Sequence, residues 1–104
     1  MSEDMRVTIG QNSLWRAVSS PIPESCTCGQ WMVHWKLYSR SAVPAHCGYD
    51  GCDEGPPYYG AHMQNAVHPA VIVPVCRVHY KRAATNYGVM RACIGVIAKP
   101  GPLC

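Results

Sequence analysis

Phenylalanine is missing from these 104 residues, and charged side chains make up only 14%, well below the usual quarter. Low charge combined with 48% hydrophobic residues excludes a disordered chain. Acids are missing after residue 54. All six (Glu3, Asp4, Glu24, Asp50, Asp53, Glu54) precede residue 55, whereas Arg77, Lys81, Arg82, Arg91 and Lys99 follow it. The C-terminal half can therefore offer a basic face to an anionic partner, or simply a solvated helix face. No apolar run approaches the roughly 18 residues of a membrane helix. No apolar segment follows the acidic start Met1-Ser2-Glu3-Asp4, so a secretory leader is not expected.

Cysteine, by contrast, is plentiful. Seven cysteines accompany five histidines, nine glycines and nine prolines. A secreted disulfide framework is one way to use such a set. The odd count, the histidines and the lack of a leader favour reduced, metal-binding thiols in the cytoplasm. A loop-rich chain of this length buries a modest core, and a metal then supplies stability that burial cannot.

The thiols fall into a pattern. Cys47-x4-Cys52 brackets Gly48-Tyr49-Asp50-Gly51, whose two glycines permit the positive φ angles of a tight knuckle. Cys76 and His79 stand three apart, as on the first turn of a helix. Three thiolates and one imidazole in two close pairs suit a closed, tetrahedral Zn(II) site. His46 is a weaker competitor, since neighbours in an extended chain point apart. Between the pairs, 58–63 and the β-branched run 70–75 read as a hairpin joined by loop 64–69. Pro74 has no N–H and belongs at a strand end or edge. A helix over 77–87, stopped by Gly88, follows. Knuckle, hairpin and helix in that order predict an α+β fold, a small loop-rich treble clef over 47–88.

Around this core the expectations are simpler, and all 104 residues form one domain. Residues 1–24 form an N-terminal arm with a short strand at 5–9, and 14–18 is either a helical turn or extended. Residues 26–46 hold Cys26-Thr27-Cys28 and then a helix. Gln30 to Arg40 contains no breaker and sets Trp31, Trp35 and Tyr38 at i, i+4 and i+7, a core-facing stripe with His34 beside it. Residues 89–104 contain a strand at 92–98 and an extended tail. Cys26 and Cys28 can supply two corners of a second zinc site, with His34, Cys93 and Cys104 as candidates for the rest. Arg77, Lys81 and Arg82 are the candidate phosphate contacts, with Tyr58, Tyr59 and Tyr80 able to stack on bases. His68 is expected to be an exposed loop residue.

Cys47, Cys52, Gly60-Ala61-His62 and Pro74-Val75-Cys76-Arg77-Val78-His79 together resemble the ββα-metal core of HNH endonucleases. That resemblance implies a nuclease with His62 as general base. The positions matching the remaining catalytic residues, Ala70 or Val71 and Tyr80, carry no group suited to Mg(II). The scaffold is therefore expected without the catalysis, and His62 is left to cap a loop, donate a hydrogen bond or replace His79 at the zinc. Over 26–104 the chain also looks like a group of small bacterial and phage proteins with the pattern CxCGxWxxHW, a knuckle, GAH, PLCxxHN and a final cysteine. This second resemblance implies that Cys104 joins Cys26 and Cys28 at a metal. The expected function is a non-catalytic zinc-stabilised binding domain for nucleic acid or a host protein, with a phage or bacterial regulator and an HNH-type nuclease as alternatives.

Overall fold

A computed structural model describes residues 5–17, 30–68, 70–81 and 87–98, with the side chains of Ala17, Lys81 and Tyr87 outside that description. Among these described residues, six strands and two helices follow in the order β1 (Arg6–Ile9), β2 (Ser13–Ala17), α1 (Trp31–Ser39), β3 (Tyr59–Gln64), β4 (Val71–Val75), α2 (Arg77–Lys81), β5 (Tyr87–Met90) and β6 (Cys93–Ile97). All six strands belong to one antiparallel sheet of order β1-β6-β4-β3-β2-β5.

The connections show that this sheet must curl. Four residue steps carry the chain from Ile9 in β1 to Ser13 in β2, four places across the sheet. Four steps of extended chain reach about 14 Å, whereas four strand spacings in a flat sheet come to about 19 Å. The link from Met90 in β5 to Cys93 in β6 spans the same four places with one step fewer. Only a half-barrel brings these ends together.

Side chains from every strand fill the inside of the curl. Val7, Ile9, Trp15, Ala61, Met63, Val71, Val73, Val75 and Met90 are all buried there with Cys47 and Cys76, and Cys93 of β6 packs against them. Alternation along β3 and β4 sends the intervening residues to the other face. There α1 lies across β3, β4 and β6, burying Trp31, Met32, Trp35 and Tyr38 against Met5, Ile72 and Val96. The expected aromatic stripe is thus real, and it faces the core. Two buried side chains of α1 tie it to β6: Trp35 Nε1–H donates to the Ile94 carbonyl and His34 Nε2–H to that of Ile97, both at 2.9 Å. Arg40 ends the helix in a left-handed conformation, with φ 57°.

These observations correct the treble-clef expectation. The hairpin and short helix around Cys76 exist, but they are parts of a six-stranded antiparallel half-barrel. The strands expected at 5–9 and 92–98 are present as β1 and β6, but their place in the sheet was missed, as were those of β2 and β5; all four are only four or five residues long. Their partners are far away in sequence, so local pattern could not pair them. The alternative of a helical turn at 14–18 gives way to β2, which pairs with both β3 and β5. The helix expected over 77–87 is α2, ending at Lys81, and Tyr87-Gly88 already belongs to β5. Pro74 lies inside β4, in the half of the strand beyond Val71 and Ile72, where β6 no longer pairs with it.

Candidate metal centre

One loop and one helical turn deliver the four donors to one place. Cys47 opens a loop whose ends are tied by the Cys47 N–H to the Glu54 carbonyl at 2.8 Å. Gly48 N–H donates to the Pro74 carbonyl at 3.0 Å, Asp50 N–H to that of Val89 at 2.9 Å and Arg91 N–H to that of Gly48 at 2.9 Å. The knuckle is therefore laced to the end of β4 and the end of β5. Cys76 follows β4 directly, and Tyr80 N–H bonds its carbonyl at 2.9 Å. This one turn of helix places Cys76 and His79 on the same side.

Gly51 adopts φ +79°, as the knuckle demands. Gly48 is needed for a different reason than its backbone angle. A Cβ there would sit 2.7 Å from Val73 Cγ1 and 3.0 Å from the Pro74 carbonyl oxygen. The glycine lets the knuckle approach β4 closely enough for Cys47 to reach Cys76.

The donor atoms of Cys47, Cys52, Cys76 and His79 all lie within 4.8 Å of one another. Cys52 Sγ and Cys76 Sγ are 3.9 Å apart, Cys47 Sγ and His79 Nδ1 3.5 Å, and Cys76 Sγ and His79 Nδ1 3.2 Å. A disulfide would bring sulfurs to about 2.05 Å, and Cys47, Cys52, Cys76 and Cys93 are free thiols. Tetrahedral zinc with Zn–S near 2.3 Å and Zn–N near 2.0 Å has edges of about 3.8 Å between sulfurs and 3.5 Å between sulfur and nitrogen. The site matches a four-coordinate metal with small adjustments.

Electrostatics treat the two buried thiols differently. Burial pushes the Cys47 thiol up to about 12, against hydrogen bonds from the Tyr49 and Cys76 N–H groups. At Cys76 burial also pushes upward. There it is outweighed by the His79 N–H, the Cys47 and Cys52 thiols and the Val78 N–H, so that thiol is lowered. Backbone N–H groups aimed at sulfur stabilise thiolates, and a bound cation would supply the rest. Arg91 donates from Nη2 to the Cys52 carbonyl at 2.7 Å, placing a guanidinium beside a cluster that is anionic when three thiolates meet a divalent ion.

The other candidate residues lie elsewhere. His46 is exposed and donates from Nδ1 to the Asp53 carbonyl at 3.0 Å, away from the cluster. His62 sits on β3 opposite Ile72, on the α1 face of the sheet, so the sheet separates it from the thiols. It therefore cannot replace His79. Its ring meets Trp31 edge-on at 4.7 Å, and its buried Nε2 has no hydrogen-bond partner among the described residues. Burial, then the neighbouring His34, lowers its pKa to about 4, so it is neutral at physiological pH. His34 is fully buried with Nε2 engaged at Ile97. Cys26, Cys28 and Cys104, its expected partners at a second metal, lie outside the described residues, as does Arg82. Cys93 lies on β6 opposite Ile9 and is not among the four clustered donors. Burial pushes its thiol up to about 11, with Arg91 opposing. His68 is half-buried rather than exposed, stacked on Trp15 at 5.9 Å with the rings 8° apart.

Sequence reasoning missed Tyr49 and Arg91, which support the cluster without ligating it. Their only local signal was position, Tyr49 inside the knuckle and Arg91 between two short strands. No helix among the described residues is long and apolar enough to cross a membrane. Comparisons with protein-family models, with curated proteins and with solved structures return no match to the chain.

Proposed function

We propose that the chain is a zinc-stapled, non-catalytic domain that binds nucleic acid. The observation that carries this reading is the closed donor set: four protein ligands within 4.8 Å leave no coordination position for a substrate or water. Thiolate and imidazole donors suit Zn(II) over Mg(II) or Ca(II). Three thiolates require a reducing compartment, as in the cytoplasm. Metal loading holds the knuckle, the end of β4 and α2 as one unit. That unit carries the exposed Arg77 and, one helical turn on, the exposed Tyr80. A cation beside an aromatic face is the combination that meets phosphate and base together. Metal-dependent cleavage with His62 as base is the weaker reading, because His62 is packed beneath α1 against Trp31 and faces away from the cluster.

The test is fluorescence anisotropy of the zinc-loaded chain with a labelled oligonucleotide between about 50 and 200 mM salt. Affinity is expected to fall with salt, weaken in Arg77→Ala and vanish on chelation. Absence of oligonucleotide binding, alongside salt-insensitive capture of a protein partner, would replace this reading with that of a protein-binding regulator.

A further inference from the structure

On the α1 side of the metal-bearing unit the surface sinks into a hollow of about 450 Å³ lined by Gln30, Trp31, Tyr58, Tyr59, Gly60 and Tyr80. That volume is ordinary for a small-molecule site. Its composition is not ordinary for a protein surface. Tyr58 is 64% exposed, Tyr59 38% and Tyr80 45%, so three aromatic rings meet solvent around one concavity. Tyr59 of β3 and Tyr80 of α2 are stacked, with ring centres 5.0 Å apart and planes 29° apart.

The chemistry of the walls narrows the occupant. A cage for a quaternary ammonium group surrounds its cation with ring faces and benefits from a carboxylate. Here two of the rings lie against each other, and none of the lining residues is acidic. The N-terminal turn of α1 forms one wall, ahead of the first helical bond from His34 N–H to the Gln30 carbonyl. This end of the helix is electropositive and favours acceptors and anions. Arg77 adds a positive charge one turn from Tyr80. The opening therefore suits a flat, acceptor-bearing, negatively tethered ligand. A ring pair at 5.0 Å leaves no room for insertion, which needs roughly twice a stacking distance, so the ligand stacks on the exposed face of the pair.

We infer that this hollow is a subsite for a single unpaired nucleobase, with Tyr58, Tyr59 and Tyr80 as its stacking surface. The inference rests on the nucleic-acid reading above and specifies it: the strand is recognised single-stranded, because a base inside a duplex has no free face. It also explains why binding would depend on the metal. Tyr80 directly follows the ligand His79, so half of the stacked pair is held in place by the metal-bound turn.

The same chemistry is present in a free nucleotide and in a base of a strand, and the experiment separates them. A single-stranded oligonucleotide carrying one 2-aminopurine, the same sequence as a closed hairpin duplex, and free adenosine and uridine monophosphates are titrated with the zinc-loaded chain. Tyr58→Ala, Tyr80→Ala and Tyr80→Phe are titrated alongside, each checked for unchanged zinc content. Quenching of 2-aminopurine on the single strand, with about tenfold weaker binding in Tyr58→Ala and Tyr80→Ala and retention in Tyr80→Phe, is expected. The salt slope should stay unchanged, since no phosphate contact is removed, and the duplex should compete poorly. Saturable binding of the monophosphates with no preference for the strand would assign the hollow to free nucleotides and overturn the strand subsite. Single-strand binding that is indifferent to the alanine variants overturns the subsite while leaving the nucleic-acid reading standing. No binding of any probe overturns both.

Discussion

The phenol ring of Tyr49 lies flat on the imidazole of His79, ring centres 4.2 Å apart and planes inclined by 14°. The knuckle thus orients the last donor of the cluster as well as supplying the first two. With its plane held, His79 turns Nδ1 to the sulfurs of Cys47 and Cys76. Groups that orient a ligand without binding the metal are commonly worth 10- to 100-fold in affinity.

Tyr49→Ala is therefore expected to weaken zinc binding by roughly tenfold or more. Tyr49→Phe keeps the stack and loses only the long contact from the hydroxyl to Met63 Sδ at 3.8 Å, so it should bind nearly as the native chain does. Competition with a chromogenic chelator measures both. Equal affinities for the alanine and phenylalanine variants would show that the stack does not orient His79.

Gly48→Ala should destabilise the zinc-loaded protein by about 1–3 kcal/mol, the usual cost of forcing extra volume into a packed site. The new methyl would press on Val73 and on the Pro74 carbonyl oxygen, neither of which can move without disturbing β4. Gly51→Ala acts differently, through the positive φ of that residue, with nothing within 4 Å of its added carbon. Thermal unfolding should show losses in both, and only Gly48→Ala should also disturb the β3–β4 amides in hydrogen exchange.

Trp35 is 1% exposed and spans the interface between α1 and β6. Trp35→Phe keeps most of the packing but leaves the Ile94 carbonyl without its donor, for an expected loss of about 1–3 kcal/mol. Trp35→Ala adds a cavity and should cost about 3–5 kcal/mol, a large fraction of the stability of a domain of this size. Denaturant titration distinguishes the two.

His62 gives acid sensitivity a defined sign. Its folded pKa, near 4, lies below the ordinary 6.5, so the unfolded chain takes up the proton first. The stability this contributes is present above pH 6.5 and is lost as pH falls toward 4. His62→Leu should therefore lose less stability than the native chain over that window. Comparing metal-free samples at both ends of the window removes the separate loss caused by protonating thiolates. An identical acid response in the two proteins would show that His62 does not titrate on unfolding.

The buried thiols give the alkaline side its sign. In metal-free protein, burial raises Cys47 to about 12 and Cys93 to about 11, from an ordinary 9.0. The folded state then holds protons that the unfolded chain releases, so stability present below pH 9 declines as pH rises through that interval. Zinc should abolish the Cys47 part of this decline, because the thiolate is already formed. Cys93→Ala should remove the other part, so that the zinc-loaded variant declines less steeply with pH in thermal unfolding than the zinc-loaded native chain, with the Tyr49 phenol, also pushed up by burial, leaving a residual decline.

Much of the candidate site was legible without coordinates. Two donor pairs with short spacings, a glycine able to take positive φ at position 51 and a helical turn after Cys76 are local features, and local sequence determines them. The same holds for α1, whose Trp31, Trp35 and Tyr38 repeat at the helical period, and for β3 and β4, a hairpin closed by a short loop whose second strand is a contiguous apolar run. The half-barrel was not legible, because it depends on pairing strands four or five residues long that are distant along the chain. The pairing of Ile9 with Cys93, for example, closes a loop of more than eighty residues. No periodicity within either strand specifies that partner, since antiparallel pairing follows from which buried faces fit together once the chain has collapsed. The sequence by itself determined which atoms could bind a metal. Only the tertiary structure decided that the sheet would separate His62 from them, that Gly48 would be needed for contact with β4, and that Tyr59 and Tyr80 would meet across β3 and α2. Each of these depends on the distance between segments, which the curl of the sheet sets.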